Sequence, residues 1–246
     1  MDREETEIEL RRDLAAVFRV MARLDMNEQI AGHNSMMLPH GEGEEPRFLI
    51  NPRGLHYSEI SASRLLLCNL TGDVLSGDGE LRKVAFHIHA RIHRMHPQAQ
   101  CILHTHPQYL TALSLLEGGR MEFCHQNDMA LAGRIAYDDD FNGIVLDDAE
   151  GDRLARALGD RTILLMANHG VTVVGPTIHD AFDELYMAER TCKYQMTAMA
   201  TGRPLREMKR EHRMNHKGTW SDYFDARLHL DAWRRILDRD EPDYAA

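Results

Sequence analysis

The sequence predicts an α/β protein. Apolar runs of strand length alternate with amphipathic stretches of helix length along the chain. Two of those runs, Cys101-Ile102-Leu103 and Ile163-Leu164-Leu165-Met166, have the length of buried strands. Strong turn signals such as Asn51-Pro52-Arg53-Gly54 separate the elements.

Leu14, Val17, Phe18, Met21 and Leu24 recur at three- and four-residue steps, which predicts a helix over about 5–24. Ala31-Gly32-His33-Asn34-Ser35 reads as a turn feeding a short strand, and 41–46 as an exposed loop. Phe48-Leu49-Ile50 is a strand. Leu65–Cys68 and Val74-Leu75 flank a turn, which predicts a hairpin. A helix over 81–96 stops at Pro97; the strand Cys101–Leu103 follows, then a helix from Pro107 to Leu116 with the proline in its first turn. Gly133–Tyr137 reads as a strand and Asp148–Leu158 as a helix. The strands Ile163–Met166 and Val171–Val174 enclose Asn168-His169-Gly170, and a long helix runs from Thr177 to about Ala200, its methionines 187, 196 and 199 facing the core. Helices over about 204–215 and 221–237 complete the chain. With no repeat and no linker inside 1–200, the expected organisation is one domain over 1–246, its core at about 10–200 and a helical C-terminal extension over about 201–246.

The 43% hydrophobic and 28% charged residues exclude wholesale disorder. A net charge of −10 argues against nucleic acid or an anionic membrane as partner. No run approaches the length of a membrane span, and the acidic start Met1-Asp2-Arg3-Glu4-Glu5 has no apolar segment behind it, so no signal peptide is expected. The four cysteines have no CxxC spacing and read as reduced thiols, which predicts a cytoplasmic location.

Histidine is the unusual count, at 15. His104-Thr105-His106 follows an apolar strand, and residues i and i+2 of a strand share a face, so two imidazoles can chelate one ion. His169 ends another apolar strand, and Gly170 after it permits a sharp turn or close approach. Three histidines leave a coordination position open, as catalytic sites do. A pair of exposed loop histidines and an unrelated third is the alternative, because HxH is a short motif. His89, His93 and His96 share a helix face and offer a second, weaker cluster.

Taken with Ala31–Ser35, Ile50–Leu55, Glu59-Ile60-Ser61-Ala62-Ser63, His89 followed by Pro97, Tyr137 and Asn168-His169-Gly170 with Gly175, this pattern resembles the class II aldolase/adducin family over residues 10–200. The resemblance implies a three-layer α/β/α fold around a mostly antiparallel central sheet, and a homotetramer. It also implies a divalent metal held by His104, His106 and His169, with zinc first and manganese or iron as alternatives. The site departs from the family's aldolases. Their catalytic glutamate, about twelve residues before the helix-ending proline, corresponds to Ala85; the nearest upstream acid, Glu80, is the candidate base. Their phosphate-binding asparagine corresponds to His33, and the paired serines before the glutamate are missing, which disfavours a phosphorylated substrate. His125 stands where some aldolases have a catalytic tyrosine; Tyr223 or Tyr244 could reach a neighbouring site. His33, Asn34, Arg53 and Gly54 are the candidate substrate-binding residues, Arg53 as a planar fork for an anion.

The functional expectation is a metal-dependent lyase, by aldol cleavage or decarboxylation, on a small hydroxy-carbonyl or carboxylate substrate. Both reactions leave an enediolate that a Lewis acid stabilises. An iron oxygenase on the same three histidines, and a non-catalytic adducin-like interaction protein, are the alternatives.

Overall fold

The computed structural model describes residues 2–206, 208 and 225–246. Helix α1 (Arg3–Arg23) starts at a capping box: the Asp2 carboxylate accepts from Glu5 N–H, and the Glu5 carboxylate from Asp2 N–H. Its apolar stripe, Leu14, Val17, Phe18 and Met21, is fully buried.

Among the described residues, eight strands form one sheet: β1 (His33–Met37), β2 (Arg47–Ile50), β3 (Leu66–Asn69), β4 (Val74–Ser76), β5 (Cys101–Thr105), β6 (Ile135–Asp138), β7 (Ile163–Met166) and β8 (Gly170–Gly175), in the order β4-β3-β2-β1-β5-β8-β7-β6. Every pairing is antiparallel except β6 with β7. The other α-helices among the described residues are α2 (Lys83–Met95), α3 (Gln108–Ser114), α4 (Asp148–Leu158), α5 (Ile178–Met199) and α6 (Ala226–Asp240).

The two-residue strand period sorts the side chains onto two faces. Ile102, Leu164 and Val174 pack with Ile88 and Ile92 of α2 and Leu154 and Leu158 of α4. Cys101, Leu103, Leu165 and Val173 point the other way, to Phe18 of α1 and Phe182 and Leu185 of α5. The sheet is thus covered on both faces, which makes the three layers.

Register then fixes the site. His33 pairs with His104, and His104 with Thr172. Ser35 pairs with Ile102, so His33, Ser35 and His104 share the face that α2 covers.

Several element bounds differ from the sequence reading. His33 and Asn34 belong to β1, not to the turn before it. Pro107 caps α3 from outside its first turn. Met187 and Met196 pack on the core, but Met199 is exposed. The helix expected over about 204–215 falls largely outside the described residues, and 204–206 are not helical. Tyr223 also lies outside them. Tyr244 is fully buried in its own chain, its hydroxyl donating to Asp238 at 2.8 Å.

Candidate metal centre

His104 is the penultimate residue of β5 and His106 follows the strand end. The two rings meet edge to face with centroids 5.2 Å apart. His169 sits in the tight connection from β7 to β8, where its N–H returns to the Met166 carbonyl and Asn168 adopts φ +55°. Its ring centroid lies 4.9 Å from that of His104 and 5.0 Å from that of His106. One nitrogen from each ring lies within 4.8 Å of the other two. Gly170 permits this approach: a Cβ there would come within 2.5 Å of the His106 ring and 2.8 Å of the Thr105 carbonyl.

The nitrogens are prepared as ligands. His106 Nδ1 donates to the Glu28 carboxylate at 2.7 Å, which leaves Nε2 as a lone pair. That Nε2 is buried and has no hydrogen-bond partner among the described residues. Thr105 holds the Glu28 loop in place by donating its hydroxyl to the Met26 carbonyl. His104 Nδ1 faces the Thr172 hydroxyl at 3.1 Å. Burial pushes the His104 pKa well below the usual imidazole range, and burial with the neighbouring His106 brings His169 down to about 4. Neutral imidazoles are the form that binds a metal. An orphaned buried nitrogen beside two neutral imidazoles fits a divalent cation.

The three histidines lie in a cleft of about 660 Å³, with His33, Arg53, Glu80, Arg82, Lys83 and Ile144 also lining it. Arg53 and Glu80 pair at 3.3 Å, and Arg53 N–H donates to the Glu80 carbonyl at 2.8 Å. Two expected substrate residues are not brought there. Asn34, next along β1, points to the opposite face, where its amide faces the Met21 sulfur at 3.4 Å. Gly54 turns the backbone at φ +95° outside the cleft lining. His125 is also elsewhere, edge-on to Tyr194. The Tyr137 hydroxyl accepts from Met121 N–H, a structural contact.

The profile described as Class II Aldolase and Adducin N-terminal domain matches residues 12–196. The chain belongs to the class II aldolase/adducin family. A putative aldolase class 2 protein of Caulobacter vibrioides is 32% identical over 200 residues, covering 81% of this chain and 76% of that protein. The crystal structure of an aldolase II superfamily protein from Pseudomonas syringae superposes with TM-score 0.87 at 30% identity, over 98% of this chain and 96% of that one. An L-fuculose 1-phosphate aldolase from Glaciozyma antarctica gives TM-score 0.85 at 24% identity, over 99% and 94% of the two chains; at that identity the likeness speaks to the fold.

Ala85, which the sequence reading set at the position of the family glutamate, is 1% exposed and packs with Phe48, Ile50 and Leu66. The second histidine cluster separates: His96 pairs with the Ala155 carbonyl at 2.7 Å, while His89 and His93 turn inward to Ser35. Sequence reasoning missed Glu28, Thr172, Arg82 and Lys83. Glu28 and Thr172 carry no local signal. Arg82 and Lys83 do: two cations at a helix start oppose the helix dipole, an arrangement that an anionic ligand would relieve.

Proposed function

We propose that this chain is a divalent-metal-dependent carbon–carbon lyase, working by aldol cleavage or decarboxylation on a small hydroxy-carbonyl or carboxylate substrate. The carrying observation is the buried His106 Nε2 without a partner, converging with His104 and His169. Those three residues would hold the ion, with zinc the first choice. Bound there, the ion supplies Lewis-acid stabilisation of negative charge on substrate oxygens. Arg53, Arg82 and Lys83 outnumber Glu80 along the cleft and would hold an anionic substrate group. Glu80, the one carboxylate among the described lining residues, would move a proton to or from the substrate carbon. As a family member the protein is proposed to act as a homotetramer. A cytoplasmic location suits the buried thiols of Cys68, Cys101 and Cys192. Among the described residues no helix is long and apolar enough to cross a membrane.

Metal analysis of protein purified without added metal tests this reading. Zinc or manganese near one ion per chain, lost in His106→Ala, supports it. Iron with dioxygen uptake redirects it to an oxygenase. A metal-free protein that binds none on titration leaves the non-catalytic, adducin-like role. Given a substrate, Glu80→Gln is expected to lower kcat by about 10²–10⁴-fold with metal content unchanged. Light scattering at one chain mass would overturn the tetramer.

A further inference from the structure

We infer that His33 presents a bare Nε2 lone pair to the cleft, so that this point of the site takes a hydroxyl group of the substrate and rejects a phosphate or carboxylate. The inference rests on the cleft being a substrate site, as proposed above.

The polarity is set from the far end of a buried chain of hydrogen bonds. The Ala99 carbonyl can only accept, so His93 Nδ1, 2.7 Å away, carries a hydrogen. His33, His89 and His93 are buried, and no carboxylate pairs with any of them among the described residues. A buried imidazolium without a counter-charge costs more than the neutral ring, so the three rings are neutral. A neutral His93 with hydrogen on Nδ1 has a bare Nε2, which must accept the Ser35 hydroxyl hydrogen at 2.8 Å. Ser35 has no second hydrogen, so its oxygen accepts from His89 Nδ1 at 2.5 Å. His89 Nε2 is then bare and accepts from His33 Nδ1 at 2.7 Å. His33 Nδ1 is spent, and its one remaining nitrogen, Nε2, is without hydrogen. The ring lines the cleft and stacks on His104 with centroids 4.6 Å apart.

The consequence is chemical. An ionised phosphate or carboxylate oxygen brings only lone pairs to an acceptor and leaves both groups unpaired. A hydroxyl donates. Arg82 lines the same cleft as His33. An anionic group on Arg82 with a hydroxyl on His33 therefore selects a hydroxy acid. Ser35, His89 and His93 act as positioning residues that hold the tautomer.

Long-range proton–nitrogen correlation spectra of the zinc-loaded protein, with ring-¹⁵N histidine, test this directly, the His33 signals being identified by their loss in His33→Phe. The expected pattern is hydrogen on Nδ1 and none on Nε2. Ser35→Ala, which cuts the chain, is expected to let the other tautomer of His33 appear. Hydrogen on Nε2 in the wild type, with or without Nδ1, overturns the inference and leaves the lyase reading intact. Calorimetry then compares glycerate with lactate, which lacks the terminal hydroxyl. Glycerate is expected to bind about tenfold more tightly, with the ratio falling to near one in His33→Phe. A ratio unchanged by that substitution overturns the recognition role. The expected tautomer in a protein that holds no zinc and binds neither acid defeats the lyase reading, and recognition with it, while the tautomer stands.

Discussion

At the scale of single residues, the geometry around the three histidines depends on one absent side chain and one present carboxylate. A methyl group at position 170 would occupy the space of the His106 ring. Gly170→Ala is expected to push that ring aside and to lower metal affinity by more than tenfold, read by competition with a chromophoric chelator; unchanged affinity would show that the ring has room. Glu28 acts through His106 Nδ1. Removing its charge in Glu28→Gln weakens the hold on ring orientation and basicity, and a loss of about 10–100-fold in metal affinity is expected in the same assay. The two variants separate steric from electronic support. Gly32 shows the same economy of space: at φ +91°, a Cβ there would overlap the Tyr57 hydroxyl beneath the His104 backbone.

At the scale of elements, helix α3 leaves β5 immediately after His106, so its first turn must be held. The Glu189 carboxylate of α5 does this, accepting Tyr109 N–H at 2.9 Å and Leu110 N–H at 2.8 Å. Glu189 is buried, and desolvation pushes its pKa from 4.5 up to about 7 against those two hydrogen bonds. A raised acid pKa means that the folded state binds more protons than the unfolded one between about pH 4.5 and 7. The contribution of Glu189 to stability therefore falls as pH rises through that window, by an amount on the order of 3 kcal/mol. Denaturant unfolding of wild type and Glu189→Gln at several pH values checks the sign: the stability difference should move in favour of the glutamine variant between pH 4.5 and 7, then level off. A parallel shift at all pH values would refute it.

At the scale of the whole molecule, the C-terminal segment is fastened to the N-terminal helix. Arg19, nearly buried in α1, donates to the Ile60 carbonyl at 2.8 Å and pairs with Glu241 and Asp243 at 3.2 and 2.7 Å. Arg234 of α6 returns to Asp13 at 2.6 Å. Ser63 N–H donates to the Ala246 carbonyl at 2.8 Å. Tyr244 fills the space between these ties. Tyr244→Ala is expected to cost about 3–5 kcal/mol of unfolding free energy, measured by chemical denaturation, because the ring is fully buried in the main core and its removal leaves a cavity there. A loss below about 1 kcal/mol would mean that the tail is a loose appendage.

Local patterning determined the alternation of helices and strands and their approximate bounds, because strand and helix periodicity are written in nearest neighbours, and spacing offered His104, His106 and His169 as a candidate set that the family resemblance named as metal ligands. The family resemblance singled out Glu80, and the Asn-Pro-Arg-Gly turn Arg53; both line the same cleft, although nothing local ties them to each other. Only the tertiary structure decided the rest. The β1–β5 register sends His33 and Ser35 to the α2 side, whereas Asn34, one residue along, faces α1. Glu28 and Thr172 reach the Nδ1 atoms of His106 and His104, and Arg82 reaches the cleft, from segments with no shared pattern, and Tyr244 turns into its own core. Hydrogen-bond polarity along His93, Ser35, His89 and His33 crosses two elements and starts from a backbone carbonyl. A strand residue's face depends on its neighbour's register, and a nitrogen's proton depends on its partner's, so both are properties of the packed chain.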